Sequence, residues 1–408
     1  MKFVELNDKE FMEFVNSRAE KNFFQTIMMK ERLKKDNLEV YLVGVKKDNK
    51  VVAASLIAET GHTFMGKRSF EAYKGFILDY HDEKLVKFMT EEVKNFLNKK
   101  NGLRLFIDPY IPNVSRDADA NIIEGIDNRD VRTTLENLGY KENEHGAQVK
   151  WCYCLDINGK SSDELLNEMR SSTRNYINRT ISKYKLNLRT LTRDELKDFK
   201  KITSDTCDRR EFSDKSLKYY EDMYDCFKDD VTFKICELNC DTYISVLEQE
   251  NAEMDRKLNE LSDSASNKKK KEVMRKDIEN NKKKIEDTKK LKDEKGNIVP
   301  LSAAMFILYG DEIVYLFSGS YAEYMSFCGQ YRIQWEIIKY AADNGYKRYN
   351  FYGIQDVFNP KGKDYGVYEF KKGFGGYVEE LLGSFELEIS PINKIYKTLR
   401  KIKGLLKK

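Results

Sequence analysis

The chain has 408 residues, with 72 Lys and Arg against 68 Asp and Glu, a formal net charge of +4. At 40% hydrophobic and 34% charged residues it can bury the cores of two or three domains, which excludes a chain disordered throughout. The near balance of charge excludes a protein that is basic all over, so any polyanion site must be local.

Residues 1–20, MKFVELNDKEFMEFVNSRAE, lack the apolar stretch of a signal peptide, and no run of 18 apolar residues exists to span a bilayer. The seven cysteines are odd in number and scattered. Cys152 and Cys154, and Cys236 and Cys240, lie close in sequence, but His62, His81 and His145 do not sit near them at ligand spacing. Reduced thiols in a cytoplasmic protein, with no metal, are expected.

Helix and strand signals alternate over residues 1–145. Residues 8–17 predict a helix with Phe11, Phe14 and Val15 inward. Residues 40–45 and 51–57 predict strands around a Lys-Lys-Asp-Asn-Lys turn, and 83–98 an amphipathic helix. Residues 103–108 read as a buried strand closed by Pro109, and 133–138 as a short helix ended by Gly139. The pattern then restarts, with a strand at 148–155, a basic helix over 163–184, a strand at 186–191 and a helix at 194–206. Two such units in succession suggest duplicated α/β domains.

Composition changes between 241 and 291. Ile244, Leu247, Met254, Leu258 and Leu261 keep a 3–4 spacing, with Asn251 at one core position. Residues 262–267 break the pattern; Met274, Ile278 and Ile285 resume it among lysines. Two helices folded back as an antiparallel coiled-coil arm are expected, and about 20 residues reach roughly 30 Å. Paired strands follow at 301–308 and 312–318, then a helix at 326–344 and a strand at 347–353. This is the tail of an acetyltransferase-like domain. Its anion-binding turn would be FCGQYRIQ, residues 327–334. It lacks a second glycine and carries Tyr331 and Ile333, which predicts lost acetyl-CoA binding.

The most informative stretch is 349–383, YNFYGIQDVFNPKGKDYGVYEFKKGFGGYVEELLG. A strand and a polar loop precede a segment, 367–374, read as extended, with Lys371 and Lys372 in a frame of Tyr368, Phe370 and Phe374. An edge strand carrying lysines against aggregation is the alternative reading. YNFYG, DYGV, FKKGF and EELLG in this order resemble the FemABX aminoacyltransferases. So do NFFQT at 22–26, LVG at 42–44, VVAASL at 51–56, FIDPY at 106–110, Arg174-Asn175, and QWE at 334–336. The resemblance spans nearly the whole chain. It implies two tandem acetyltransferase-like (GNAT-like) domains in an α/β (α+β) fold. The first covers 1–145, the second 146–240 and 296–408, with the arm at 241–295 inserted. That arm places the chain with the FemA, FemB and MurM branch.

The resemblance implies transfer of an amino acid from aminoacyl-tRNA to the stem-peptide lysine of a peptidoglycan precursor, lipid II or its UDP-linked form. No bound cofactor is implied. Glycine, alanine and serine remain open as the donated residue. Such a reaction must stabilise a carbonyl oxygen that turns negative and must grip two anionic substrates. Lys371 matches the catalytic lysine of the family's F-K-x-x-F pattern, with Lys372 as its neighbour on the opposite face of a strand. Asp108 matches a family aspartate in the substrate cleft and is a candidate to orient the attacking amine, or it is an aspartate that caps a turn. Glu380 matches a glutamate near the site. For the precursor's phosphates the family lysine aligns at Leu33, leaving Arg32 or Lys34; Lys215, in Phe-Ser-Asp-Lys, is the second-domain candidate. Tyr352 and Tyr365 are candidates to line the cleft.

For tRNA, residues 169–185 offer Arg170, Arg174, Arg179 and Lys183, with arm lysines at 268–271 and 282–284, or these are solvated faces. Residues 391–408 contain no acid and seven bases, with Ile395, Leu399, Ile402 and Leu406 on one helical face. That pattern suits contact with an anionic inner leaflet, or packing on the fold. A homodimer or a related Fem-type partner is compatible with the projecting arm. The rival readings are a CoA-dependent N-acyltransferase and a non-catalytic scaffold or immunity factor.

Overall fold

The computed structural model describes residues 1–143, 146, 148–262 and 264–405. His145, Asp263 in the arm's expected break, and Leu406, Lys407 and Lys408 of the tail lie outside them. The strands in chain order are β1 (Lys2–Glu5), β2 (Val40–Lys47), β3 (Lys50–Phe64), β4 (Lys67–Ala72), β5 (Gly102–Ile107), β6 (Pro112–Arg116), β7 (Ile122–Asp127) and β8 (Tyr140–Glu142). They continue with β9 (Trp151–Asp156), β10 (Asn187–Thr190), β11 (Val231–Asn239), β12 (Ile298–Tyr309), β13 (Glu312–Ser320), β14 (Arg348–Gly353), β15 (Tyr377–Leu381) and β16 (Phe385–Glu388).

Two mixed sheets result, ordered β1-β2-β3-β4-β5-β16-β8 and β10-β11-β12-β13-β14-β9-β15-β6-β7. The α/β fold class expected from the sequence holds. The β2–β3 turn has positive φ at both Asp48 and Asn49, the primed turn that Asp and Asn tolerate and that matches strand twist. Helix Glu83–Lys99 begins where the Asp82 side chain accepts from the Leu85 amide, and it buries Leu85, Val86, Met89, Val93 and Leu97. The sheets exchange strands. The β6–β7 hairpin, early in the chain, extends the second sheet, and β16, near the end, inserts between β5 and β8 of the first.

The expected arm is a helical hairpin, Cys240–Glu260 and Ala265–Lys295. Its base is clamped by Asp241 with Lys292 at 2.6 Å, and the Cys240 amide donates to the Asn297 carbonyl at 2.9 Å. Ile244, Leu247, Ile278 and Ile285 are buried along the seam. One layer is polar: buried Asn281 donates to Glu250 at 3.1 Å. The longer helix, of 31 residues, reaches about 46 Å at 1.5 Å per residue.

One sequence expectation is corrected. The segment bearing Lys371 and Lys372 is not extended; Tyr365–Lys372 is a helix. Tyr365, Tyr368 and Lys371 recur every third residue, which aligns them on a helix and would scatter them over both faces of a strand. The Asp356 carboxylate accepts from the Asp364 amide at 2.9 Å and fixes the helix start. Lys371 and Lys372 are therefore about 100° apart rather than opposed.

Candidate active site

The site follows from an incomplete pairing. β13 and β14 run parallel and pair only over residues 312–314 with 348–350. Beyond that the strands part, and a cleft of about 910 Å³ opens between them. Residues 315–320 form one wall and 351–355 the other. Parting leaves β14 carbonyls without ladder partners, and unpaired buried carbonyls are costly. Lys371 satisfies them: its Nζ donates to the Gly353 carbonyl at 2.6 Å and approaches that of Tyr352 at 3.4 Å. The residue is only 5% exposed, and the Tyr315 ring lies 6.0 Å from the ammonium. Among the described residues Lys371 has no carboxylate ion partner. Burial lowers its pKa to about 8, against a smaller opposite pull from Cys152 and Cys154. The cleft floor thus holds an ammonium poised to lose or regain its proton near neutrality.

Lys372 points away. It pairs with Asp119 and lies over the Tyr368 ring at 5.4 Å. An exposed pair of this kind contributes little, so Lys372→Ala is expected to change the rate by less than about threefold. A larger loss in a steady-state assay would show that Lys372 reaches the reacting atoms.

Asp108 is buried one layer behind the cleft. Its Oδ1 accepts from the Lys74 amide at 3.1 Å, and Oδ2 lies 3.0 Å from the Lys74 ammonium. Lys74 also donates to the carbonyl of Val149, which lines the cleft. Burial pushes the Asp108 carboxyl above its ordinary pKa, and Lys74 pulls against it. Glu380 is placed elsewhere. It sits on β15, is buried, and takes Arg116 at 2.7 and 2.8 Å across the β15–β6 pairing. That pair joins strands from distant parts of the chain and does not face the cleft.

The phosphate candidates converge on an aromatic ring. The Arg32 guanidinium lies 4.5 Å from the Tyr219 ring centre and the Lys215 ammonium 5.3 Å from it. Tyr219 in turn packs on Phe317, a cleft residue, at 5.8 Å. Arg32 also pairs with Asp36 at 2.7 Å. Lys34 turns outward to Glu31 at 3.1 Å, so of the two alternatives only Arg32 joins Lys215. The Asp214 carboxylate fixes the loop before Lys215, accepting from Tyr220, Thr203, Ser204 and Lys200. Tyr352 lines the cleft with its hydroxyl donating to Gln148 at 3.2 Å, whereas Tyr365 lies off the wall and packs on Tyr368.

A family model described as the FemAB family matches residues 6–403. The chain belongs to the FemAB family. It is 34% identical over 421 residues to the aminoacyltransferase FemA of Staphylococcus epidermidis, covering 99% of this chain and 100% of that protein. To the aminoacyltransferase FemA of Staphylococcus aureus it is 31% identical over 420 residues, covering 99% of each. Among solved structures, FemX superposes with a TM-score of 0.75 at 22% identity, covering 98% of this chain and 99% of that one, which supports the two-sheet fold. This FemAB member is accordingly an aminoacyltransferase.

The four basic residues of 169–185 expected to meet tRNA each have a partner within the FemAB chain. Arg170 pairs with Glu369 at 2.7 Å, and Arg174 donates to the carbonyls of Asn167 and Met169 where helix Ser162–Glu168 breaks before Ser171–Ser182. Arg179 holds the Tyr184 hydroxyl, and Lys183 reaches Glu250 on the arm at 3.4 Å. None of the four lines the cleft. Sequence reasoning did not single out Lys74 or Tyr219. Lys74 meets Asp108 across 34 residues of chain, and no local pattern announces that pairing. For Tyr219 a signal existed: it lies four residues after Lys215 on helix Leu217–Phe227, one turn into that helix.

Among the described residues no helix is long and apolar enough to cross a membrane.

Proposed function

We propose that this enzyme takes the aminoacyl group of an aminoacyl-tRNA and joins it to the stem-peptide lysine amine, or the growing bridge, of a peptidoglycan precursor such as lipid II. The amine nitrogen attacks the ester carbonyl, a C–N bond forms, and the C–O bond to the ribose breaks. The amine's proton ends on the ribose oxygen. Because the ester is already activated, no enzyme nucleophile is needed. The observation that carries this reading is the buried, carbonyl-bonded Lys371 ammonium at the end of the parted strands. As a cation it offsets the oxyanion; with its pKa near 8 it returns a proton to the leaving ribose at little cost.

Arg32 and Lys215, gathered at Tyr219, grip the precursor's phosphates. Arg32→Gln or Lys215→Gln is expected to raise the precursor KM about tenfold each, the order of one charge-assisted hydrogen bond, with kcat nearly unchanged. Equal losses in kcat would move both residues from binding to the reacting centre.

The enzyme works at the cytoplasmic face of the membrane. Helix Ile392–Leu405 shows Ile395, Leu399 and Ile402 to solvent, each about half exposed, while Asn393 donates to Glu386 at 2.7 Å and Tyr396 packs on Arg104. One face thus holds the body and the other is apolar among bases, which fits an anionic leaflet. The test of the reaction is transfer of labelled glycine, alanine or serine from charged tRNA to lysine-stem lipid II. Transfer from one of them supports the proposal and names the donor. No transfer from any of the three overturns it.

A further inference from the structure

We infer that Asn350 is a positioning residue for the Lys371 ammonium: its side chain holds a bulge in β14 that turns two successive carbonyls toward Nζ. The inference rests on the role given to Lys371 above. Successive carbonyls point to opposite edges of a regular strand. Yet Nζ lies 2.6 Å from the Gly353 oxygen and 3.4 Å from that of Tyr352. An extra residue in β14 makes this possible. Asn350 stands opposite Cys154 and Gly353 opposite Cys152, so three steps along β14 face two along β9. Within the bulge Tyr352 has φ +64°, a left-handed backbone that a bulky residue adopts only when its surroundings impose it.

Asn350 imposes it. Its Oδ1 accepts from the Tyr352 amide at 2.7 Å, the turn in which an Asn side chain stands in for a backbone carbonyl. The side chain is 2% exposed, and its other end is fixed from three directions. Nδ2 donates to Glu312 on β13 at 3.1 Å and approaches the Tyr110 hydroxyl, beyond β5, at 3.3 Å. Tyr110 in turn donates to both Glu312 oxygens at 3.0 Å. Arg348 lies 2.7 Å from Glu312 and takes Glu379 of β15 with two bonds, at 2.6 and 2.7 Å. A carboxylate only accepts, so Glu312 fixes which end of the amide is Nδ2 and leaves Oδ1 for Tyr352. Around Nζ itself stand the Tyr315 ring on β13, the two β14 carbonyls, and the thiols of Cys152 and Cys154 on β9. The nearby acids Glu312 and Glu379 are paired with Arg348, so the carbonyls aimed by Asn350 are what hold the proton on Lys371.

The test is trace acetylation with acetic anhydride across pH, read at Lys371 by peptide mass spectrometry, for wild type, Asn350→Leu and Asn350→Ser. Circular dichroism checks the fold of each. Only the neutral amine reacts, so the midpoint reports the titration of Lys371 with no substrate present. Asn350→Leu is expected to lower that midpoint by about 1 pH unit, the order of one hydrogen bond to a charged group. The falling limb of kcat should move down with it. Asn350→Ser keeps an oxygen that accepts from the amide two residues on, so it should retain most of the wild-type midpoint. A wild-type midpoint in folded Asn350→Leu overturns the inference, and so does a serine variant shifted as far as the leucine one. If Asn350→Leu does not fold, Tyr110→Phe decides. It loosens the amide from one side, so a smaller fall in the midpoint supports the inference and no fall overturns it. A lowered midpoint with an unmoved kcat limb would keep the positioning and sink the role of Lys371 in the reaction. A lost kcat at an unmoved midpoint would overturn the positioning alone.

Discussion

Lys371→Ala is expected to lower kcat for aminoacyl transfer about a hundredfold, the order of loss for one oxyanion donor, with a much smaller change in the precursor KM. The ammonium touches the cleft but not the Arg32–Tyr219–Lys215 cluster, so binding of the precursor's phosphates should survive. The pH profile separates charge from shape. Lys371 is protonated below its pKa of about 8, so the cation and its stabilisation of the oxyanion are lost as pH rises through that value. Wild type should therefore show a falling limb in kcat near pH 8, and Lys371→Arg, whose guanidinium stays charged, should lose that limb. A limb that persists in the arginine variant would assign it to another group.

The same lysine costs stability. Its folded pKa lies below the unfolded value of 10.5, so between about pH 8 and 10.5 the unfolded chain binds the proton that the folded chain has released. Stability therefore rises with pH across that window, and below it the buried cation costs roughly 3 kcal/mol. Lys371→Met removes this penalty but strands the Gly353 carbonyl, an offset of about 1 kcal/mol. The variant should be inactive yet more stable than wild type at pH 7 in urea unfolding, with the advantage gone by pH 10.5. Equal midpoints at pH 7 would mean that Lys371 is better solvated than its burial implies.

The second large effect is on the fold. Lys74→Met leaves the Asp108 carboxylate buried without its cation, and breaking a buried pair on one side costs about 3–5 kcal/mol. Burial already raises the Asp108 pKa, and removing Lys74 raises it further. Protonation then relieves the penalty, so the destabilisation should be largest at pH 8 and smaller at pH 5. Adding Asp108→Asn should recover most of the loss. Urea unfolding at the two pH values checks this; a cost independent of pH would point to lost packing rather than charge.

Much of the architecture was legible because it rests on local periodicity. The seam Ile244, Leu247, Ile278, Ile285 marked the helical hairpin, and Asp48-Asn49 marked the turn between β2 and β3. The helix at Tyr365–Lys372 was misread because its aromatic-rich, glycine-flanked sequence suits either state over eight residues. At that length tertiary contacts decide, here the burial of Tyr368 and Lys371 on one face. The pattern at 349–383 singled out Lys371. It carried nothing about Lys74, whose partner Asp108 lies 34 residues away along the chain.

What the sequence by itself determined is the family, the helical hairpin and the lysine worth testing, because each rests on neighbouring residues or short motifs. What only the tertiary structure decided is the exchange of β16 and the β6–β7 hairpin between sheets, and the parting of β13 from β14. It also decided the gathering of Arg32 and Lys215 at one ring. These depend on pairings between segments tens to hundreds of residues apart, and their energy comes from burial and register that no local pattern encodes.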